Sequence, residues 1–283
     1  MGSRNRLVHP VRLVLAALAL TALGAACGTS TGTTAAPSAS ATAVGPTDAS
    51  APRGPTGAVT GSITVSAAAS LTEPFTSIGE GFRAANPDVE VTFTFDSSGT
   101  LARQILAGAP SDVFAAADEA SMATLTGEDL IAGSPAVFAR NQLTIVVKQG
   151  NPADITGLAD LASAGTISLC GSQVPCGRYA DQVLAAADVA IPADSITRGQ
   201  NVKATLAAVA DGDADAGIVY VTDVTGDKVE AVAIPDADNA VATYPIGVLT
   251  NSADRSTAEA FVAFVIGPQG RATLEAGGFL PPG

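Results

Sequence analysis

The chain has 283 residues, with 14 Lys and Arg against 27 Asp and Glu, for a formal net charge of −13. That acidity repels nucleic acid and anionic membrane surfaces, so bulk electrostatics points to no nucleic-acid partner. The single histidine, the absence of tryptophan and the scarcity of aromatics argue against stacking platforms for bases or sugars.

The chain begins with an address. Residues 1–27 carry Arg4, Arg6 and Arg12, an apolar run over 11–23 and small residues before Cys27, the layout of a secretory signal. The run is shorter than the roughly 20 residues of a membrane span. Gly24-Ala25-Ala26-Cys27 resembles a bacterial lipobox, in which Cys27 is acylated and becomes the new N-terminus. The large aliphatic usual three places before that Cys is Gly24 here, with Leu23 one place further back; a plain secreted protein is the alternative. His9, the only histidine, leaves with the signal. The mature chain then has no imidazole, which excludes Ser–His–Asp and Cys–His catalysis and His metal ligation.

Residues 28–60 are almost wholly Gly, Ala, Ser, Thr and Pro and cannot offset the entropy of ordering. They are expected to form a tether of about 30 Å r.m.s. reach, holding a globular domain off a membrane. The charge is uneven, since residues 61–283 hold ten basic and 26 acidic residues, −16.

From residue 61 the punctuation changes. The pattern predicts a strand over 63–67, a helix over 71–85 and a strand over 89–95 with Val89, Val91, Phe93 and Phe95 on one face. A helix over 100–107, a strand over 113–116 and a helix from Asp118-Glu119 toward Leu125 follow. Further strands are expected over 143–147, 166–169, 218–221, 229–234 and 244–249, with helices over 179–187, 202–210 and 257–266. Strands alternating with helices imply a parallel α/β architecture. In open sheets of this kind, ligands sit beyond the carboxyl ends of strands, where helices begin.

Two such turns carry hydroxyls, Ser70 in Ala67-Ala68-Ala69-Ser70-Leu71 and Ser98 in Asp96-Ser97-Ser98-Gly99-Thr100. Unpaired N–H groups and the helix dipole make such positions anion sites, although a serine there also serves as a plain N-cap. Both readings stand at this point. Cys170 and Cys176 remain once Cys27 is acylated. In an oxidising compartment they are expected to form a structural disulfide rather than free thiols or a redox pair.

Three blocks, in order, resemble the periplasmic molybdate-binding protein family: Ser66-Ala67-Ala68-Ala69-Ser70-Leu71, Ser97-Ser98-Gly99-Thr100-Leu101-Ala102-Arg103-Gln104-Ile105, and Gly108-Ala109-Pro110-Ser111-Asp112-Val113-Phe114. The likeness continues through Val174-Pro175-Cys176-Gly177-Arg178-Tyr179, Gly217-Ile218-Val219-Tyr220, Tyr244-Pro245-Ile246 and Gly267-Pro268-Gln269-Gly270. It implies an α/β, two-lobed, venus-flytrap (type II periplasmic-binding-protein) fold with two hinge crossovers. Residues 61–141 and 244–283 would form lobe I and residues 142–243 lobe II, with hinges near 141–143 and 243–245. It further implies no enzyme and no cofactor, but an extracytoplasmic, membrane-anchored, monomeric receptor that captures molybdate, with tungstate, for an ABC permease. Carried over position by position, the oxyanion shell would comprise Ser70 and Ser98, the backbone N–H groups of Cys176 and Val202, and the phenol of Tyr220. The family often has a small residue where Cys176 stands. A backbone donor tolerates that change, and a bond to Cys170 would stiffen the ligand loop.

Arg178 and Lys203 flank these positions and are expected on solvated helix faces rather than on the anion. Asp112 and Asp118 read as caps rather than an acid–base pair, and Asp211-Gly212-Asp213-Ala214-Asp215 as a solvated turn without the closing Glu of a calcium loop. Two other functions compete with the receptor reading. One is the same fold binding sulfate, thiosulfate or a small organic acid. The other is an extracytoplasmic thiol protein, which lacks a histidine to activate Cys170 or Cys176.

Overall fold

The computed structural model describes residues 59–283. The signal segment, the lipidation assigned to Cys27 and the tether through residue 58 therefore lie outside the described residues.

The first parallel unit contains β1 (Gly61–Ala68), flanked by β2 (Val89–Asp96) and β3 (Val113–Ala115). Each strand leads toward a helix: α1 (Thr72–Ala85), α2 (Ser98–Leu106) and α3 (Glu119–Thr126). A second parallel unit places β5 (Ile167–Cys170) between β6 (Ile196–Gly199) and β7 (Ala216–Tyr220). Its helices are α4 (Pro175–Ala186) and α5 (Val202–Ala210).

Two long strands join the units. The first part of β4 (Ala136–Lys148), through Gln142, pairs antiparallel with β9 (Val241–Val248). From Leu143 onward β4 instead pairs antiparallel with β7 and with β8 (Val229–Ala233). β9 also pairs antiparallel with β3, giving the order β2-β1-β3-β9-β4-β7-β5-β6 with β8 against β4. The chain closes with α6 (Arg255–Ile266) and α7 (Pro268–Ala276). Among the described residues no helix is long and apolar enough to cross a membrane.

The expected parallel architecture thus holds within each unit, whereas the strands that connect the units are antiparallel. Parallel neighbours need a long crossover, usually helical; a chain that crosses directly between units returns antiparallel. β4 is longer than the expected 143–147 because its first part, which includes Arg140, Asn141 and Gln142, breaks the apolar run. α7 lies beyond 257–266, the last helix expected. Pro is well placed in a first helical turn, where its missing N–H has no role.

Period-two burial of Val89 and Val91 seats β2 on the core. Beneath α1 and α6, Phe75, Phe82 and Phe261 meet edge to face. A second aromatic group forms at the β4–β9 crossing, where the Tyr244 ring is met edge-on by Phe138, Tyr220 and Phe279. The crossing is thereby packed rigidly beside the carboxyl ends of the parallel strands.

Candidate functional site

β1, β2, β5 and β6 each end in a turn that starts a helix, and these four starts converge on one cavity. Ser70, Ser98, Cys176, Val202 and Tyr220 all line it, with Ala117 and Asn201 among their neighbours. The empty space within it, open solvent at its mouth included, is about 200 Å³. Only a small solute fits.

Neither serine is a helix cap. Ser97, not Ser98, caps α2, accepting the Thr100 N–H at 3.3 Å. α1 begins after a single turn of 3-10 helix at Ala69–Leu71, with no side-chain cap. Asn201 caps α5 by accepting the Ala204 N–H at 3.0 Å, and Pro175 opens α4. The capping reading left open for Ser70 and Ser98 is therefore set aside. Both side chains are buried, 3% and 0% exposed, at the cavity wall.

The cavity surface is rich in donors. The first N–H groups of a helix have no acceptor within it. Among the described residues the N–H groups of Ser98, Cys176 and Val202 donate to no protein acceptor. The Ser98 Oγ accepts the Ala117 N–H at 2.9 Å, so its hydrogen is not consumed by that bond. The Ser70 Oγ lies 2.9 Å from the Tyr244 hydroxyl. The Tyr220 hydroxyl is buried and, among the described residues, has no hydrogen-bond partner. Burial pushes its phenol well above the ordinary value, so it remains an O–H donor at neutral pH.

Among the described residues no charged one lines the cavity. As expected, Arg178 and Lys203 stay off it, but they are not merely solvated. Arg178 binds Asp118 through Nε at 2.7 Å and donates to Ser121 Oγ at 3.0 Å. Lys203 reaches Glu73 at 2.9 Å and Asp223 at 3.2 Å. A third contact runs from Asn201 Nδ2 to Asp96 Oδ1 at 2.9 Å. These contacts tie the first parallel unit to the second around the cavity rim.

Asp223 went unnoticed in the sequence. It is fully buried, with the Lys203 ammonium 3.2 Å from Oδ1. Burial pushes its carboxyl up to about 6 against the pull of Lys203. Burial also disfavours charge on Lys203, but attraction to Asp223 and Glu73 outweighs it and holds the amine above its ordinary value. Tyr244 and Asn141 were missed as site neighbours too. Asn141 lay in a segment read as hinge and Tyr244 in one read as hinge, strand and family block, neither with a site role, and side-chain polarity in a crossing strand was the one available signal.

Asp118 caps α3 through the Ser121 N–H at 3.0 Å. Asp112 ties loops together, accepting from Thr64 N–H at 2.7 Å and from Ser252 O–H at 2.7 Å. Neither forms an acid–base pair with the other. Cys170, at the end of β5, and Cys176, in the first turn of α4, form a disulfide with a Cα–Cα separation of 5.8 Å. At the next residue a Cβ on Gly177 would overlap the Gly171 carbonyl oxygen. α4 therefore starts pressed against the end of β5.

The chain is similar to the molybdate-binding protein ModA of Mycobacterium tuberculosis, with 41% identity over 237 residues, 83% of this chain and 90% of that one. Its fold is similar to that of the periplasmic molybdate-binding protein of Azotobacter vinelandii, with a TM-score of 0.69, 24% identity and coverage of 78% and 100%. A similar fold is found in the sulfate-binding protein SubI of M. tuberculosis, with a TM-score of 0.70, 20% identity and coverage of 78% and 86%. The family of bacterial extracellular solute-binding proteins matches residues 63–280. With its two-lobed α/β fold and small donor-lined cavity, the chain belongs to that solute-binding family.

Proposed function

We propose that this protein captures molybdate, and tungstate with it, and delivers it to the permease of an ABC importer. The observation that carries this reading is the cavity: four helix starts and an unpartnered buried hydroxyl, with no charged residue among its walls. Hydrogen bonds to an ionised acceptor contribute about 1.5–3 kcal/mol each. Several of them offset the dehydration of a dianion without a buried cation that would need its own partner. The names of the molybdate-binding relatives support the choice of ligand.

Ser70, Ser98 and Tyr220 donate through hydroxyls, and Cys176 and Val202 through backbone N–H groups. A shell weighted toward donors disfavours protonated oxyanions, whose O–H finds no acceptor among the backbone N–H groups. Selection against sulfate then rests on cavity size, since the metal–oxygen bonds are longer. The lobes divide at residues 61–141 with 244–283, and 142–243. Lipidation at Cys27 and the 28–60 tether hold the domain at the outer face of the cytoplasmic membrane, as a monomer.

Calorimetric titration of the ligand-stripped protein with molybdate, tungstate, sulfate and phosphate tests the assignment. One-to-one binding of the first two with little heat from the others is expected. Binding of sulfate in preference to molybdate would replace the ligand, and binding of no oxyanion by the folded protein would remove the function.

A further inference from the structure

Ser70 lines the cavity, but its hydroxyl is also engaged behind it, 2.9 Å from the Tyr244 hydroxyl. By distance alone either oxygen could donate. The surroundings decide the direction. Asn141 Oδ1 accepts the Gln142 N–H at 2.9 Å, which fixes the orientation of its amide. Its Nδ2 donates to Thr222 Oγ1 at 2.8 Å and faces the Tyr244 hydroxyl at 3.5 Å. Tyr244 thus has a donor on one side and Ser70 on the other. Among the described residues Ser70 Oγ is the acceptor within reach of its O–H.

Tyr244 is fully buried, its ring held edge-on by Phe138, Tyr220 and Phe279. An O–H left unpaired there would carry a full desolvation cost, so it donates to Ser70. Burial also pushes the phenol up from its ordinary value, which keeps that hydrogen in place. With one of its two lone pairs occupied from behind, Ser70 keeps its own hydrogen for the cavity. Ser98 has the same arrangement, one lone pair of its Oγ taken by the Ala117 N–H.

We propose that Tyr244 and Asn141 are positioning residues forming a one-way relay, Asn141 to Tyr244 to Ser70, that keeps the Ser70 hydrogen free to be donated to the solute. This rests on the reading of Ser70 as an oxyanion donor. The relay makes two residues outside the cavity determinants of selectivity: reversed, Ser70 gives its hydrogen to Tyr244 and offers the solute only lone pairs, which favour a protonated oxyanion over a dianion.

Molybdate and hydrogenphosphate affinities of the full chain test the relay in Tyr244→Phe and Asn141→Asp, each with Ser70 intact and with Ser70→Ala. Tyr244→Phe removes the donor to Ser70. Asn141→Asp replaces the donor to Tyr244 with an acceptor and reverses the relay. Its added charge is present in both backgrounds and cancels in the comparison. Tyr244→Phe is expected to weaken molybdate binding about tenfold and to narrow the preference over hydrogenphosphate; on Ser70→Ala its effect shrinks to about twofold or less. Asn141→Asp shows the same dependence on Ser70 and keeps the test open where Tyr244→Phe does not fold. Equal losses in both backgrounds, with selectivity unchanged, would overturn the relay. Failure of the unmodified protein to bind molybdate would overturn the underlying reading instead.

Discussion

Tyr220 is the residue at which folding and binding pull in opposite directions. Its hydroxyl is buried without a partner, and an unpaired buried hydroxyl costs about 1–3 kcal/mol. Tyr220→Phe should therefore leave the ligand-free protein as stable or more stable while weakening molybdate binding about tenfold or more. Thermal melts with and without molybdate, beside a titration, separate the two effects; a loss of ligand-free stability with affinity intact would contradict the assignment. Four of the five proposed shell positions, Ser70, Ser98, Cys176 and Tyr220, stood in motif blocks, Val202 followed only by carry-over from the resemblance, and the structure brings all five to one cavity. Their local chemistry was not. Whether Ser98 or Ser97 caps α2 depends on the dihedral angles of adjacent serines, which composition does not encode. Asp223, Asn141 and Tyr244 were invisible because burial and long-range partners define their roles, and Tyr244 meets Ser70 across 174 residues of sequence.

At the level of elements, the turn from β5 into α4 brings the disulfide and a proposed backbone donor together. Cys176 is both a disulfide partner and a cavity residue. Its bond closes a loop with a sequence separation of six, which the chain-entropy argument values at about 2 kcal/mol. Replacing Cys170 and Cys176 together by serine should lower the melting temperature and, by loosening the start of α4, weaken molybdate binding severalfold, since pre-organised donors lower the ordering cost. Calorimetry and melting of the variant check this, and unchanged values for both would refute it. Strongly periodic elements such as α1, β2 and α6 were readable from apolar spacing. Elements whose signal was diluted were not: β6 is a four-residue strand containing Thr197 and Arg198, and β4 crosses between units through polar residues.

For the whole molecule, charge and site make opposite demands. The −16 carried by residues 61–283 repels a dianion, and the cavity offers no cation in return. Raising ionic strength from about 0.01 to about 0.15 M shortens the screening length from about 30 to about 8 Å. Association with molybdate should therefore speed up with salt, as stopped-flow would show; slowing with salt would point to a cationic entry path. A pH effect follows from Asp223, whose carboxyl is raised from 3.8 to about 6. Within that window the folded chain holds a proton that the unfolded chain has released. Lowering the pH through it adds stability from this group, in total about 3 kcal/mol, and raising the pH removes it. Asp223→Asn should flatten that part of the profile in denaturant titrations between pH 4 and 7, and an identical slope in both proteins would exclude Asp223 as its source.

If a dianion is held by neutral donors alone, a crystal structure of the protein with molybdate bound will show it. Anion oxygens are expected at hydrogen-bond distance from the Ser70, Ser98 and Tyr220 hydroxyls and from the Cys176 and Val202 N–H groups, with Arg178 still on Asp118 and Lys203 still between Glu73 and Asp223. An anion contacted by the Arg178 guanidinium or the Lys203 ammonium, or seated outside the cavity, would contradict it.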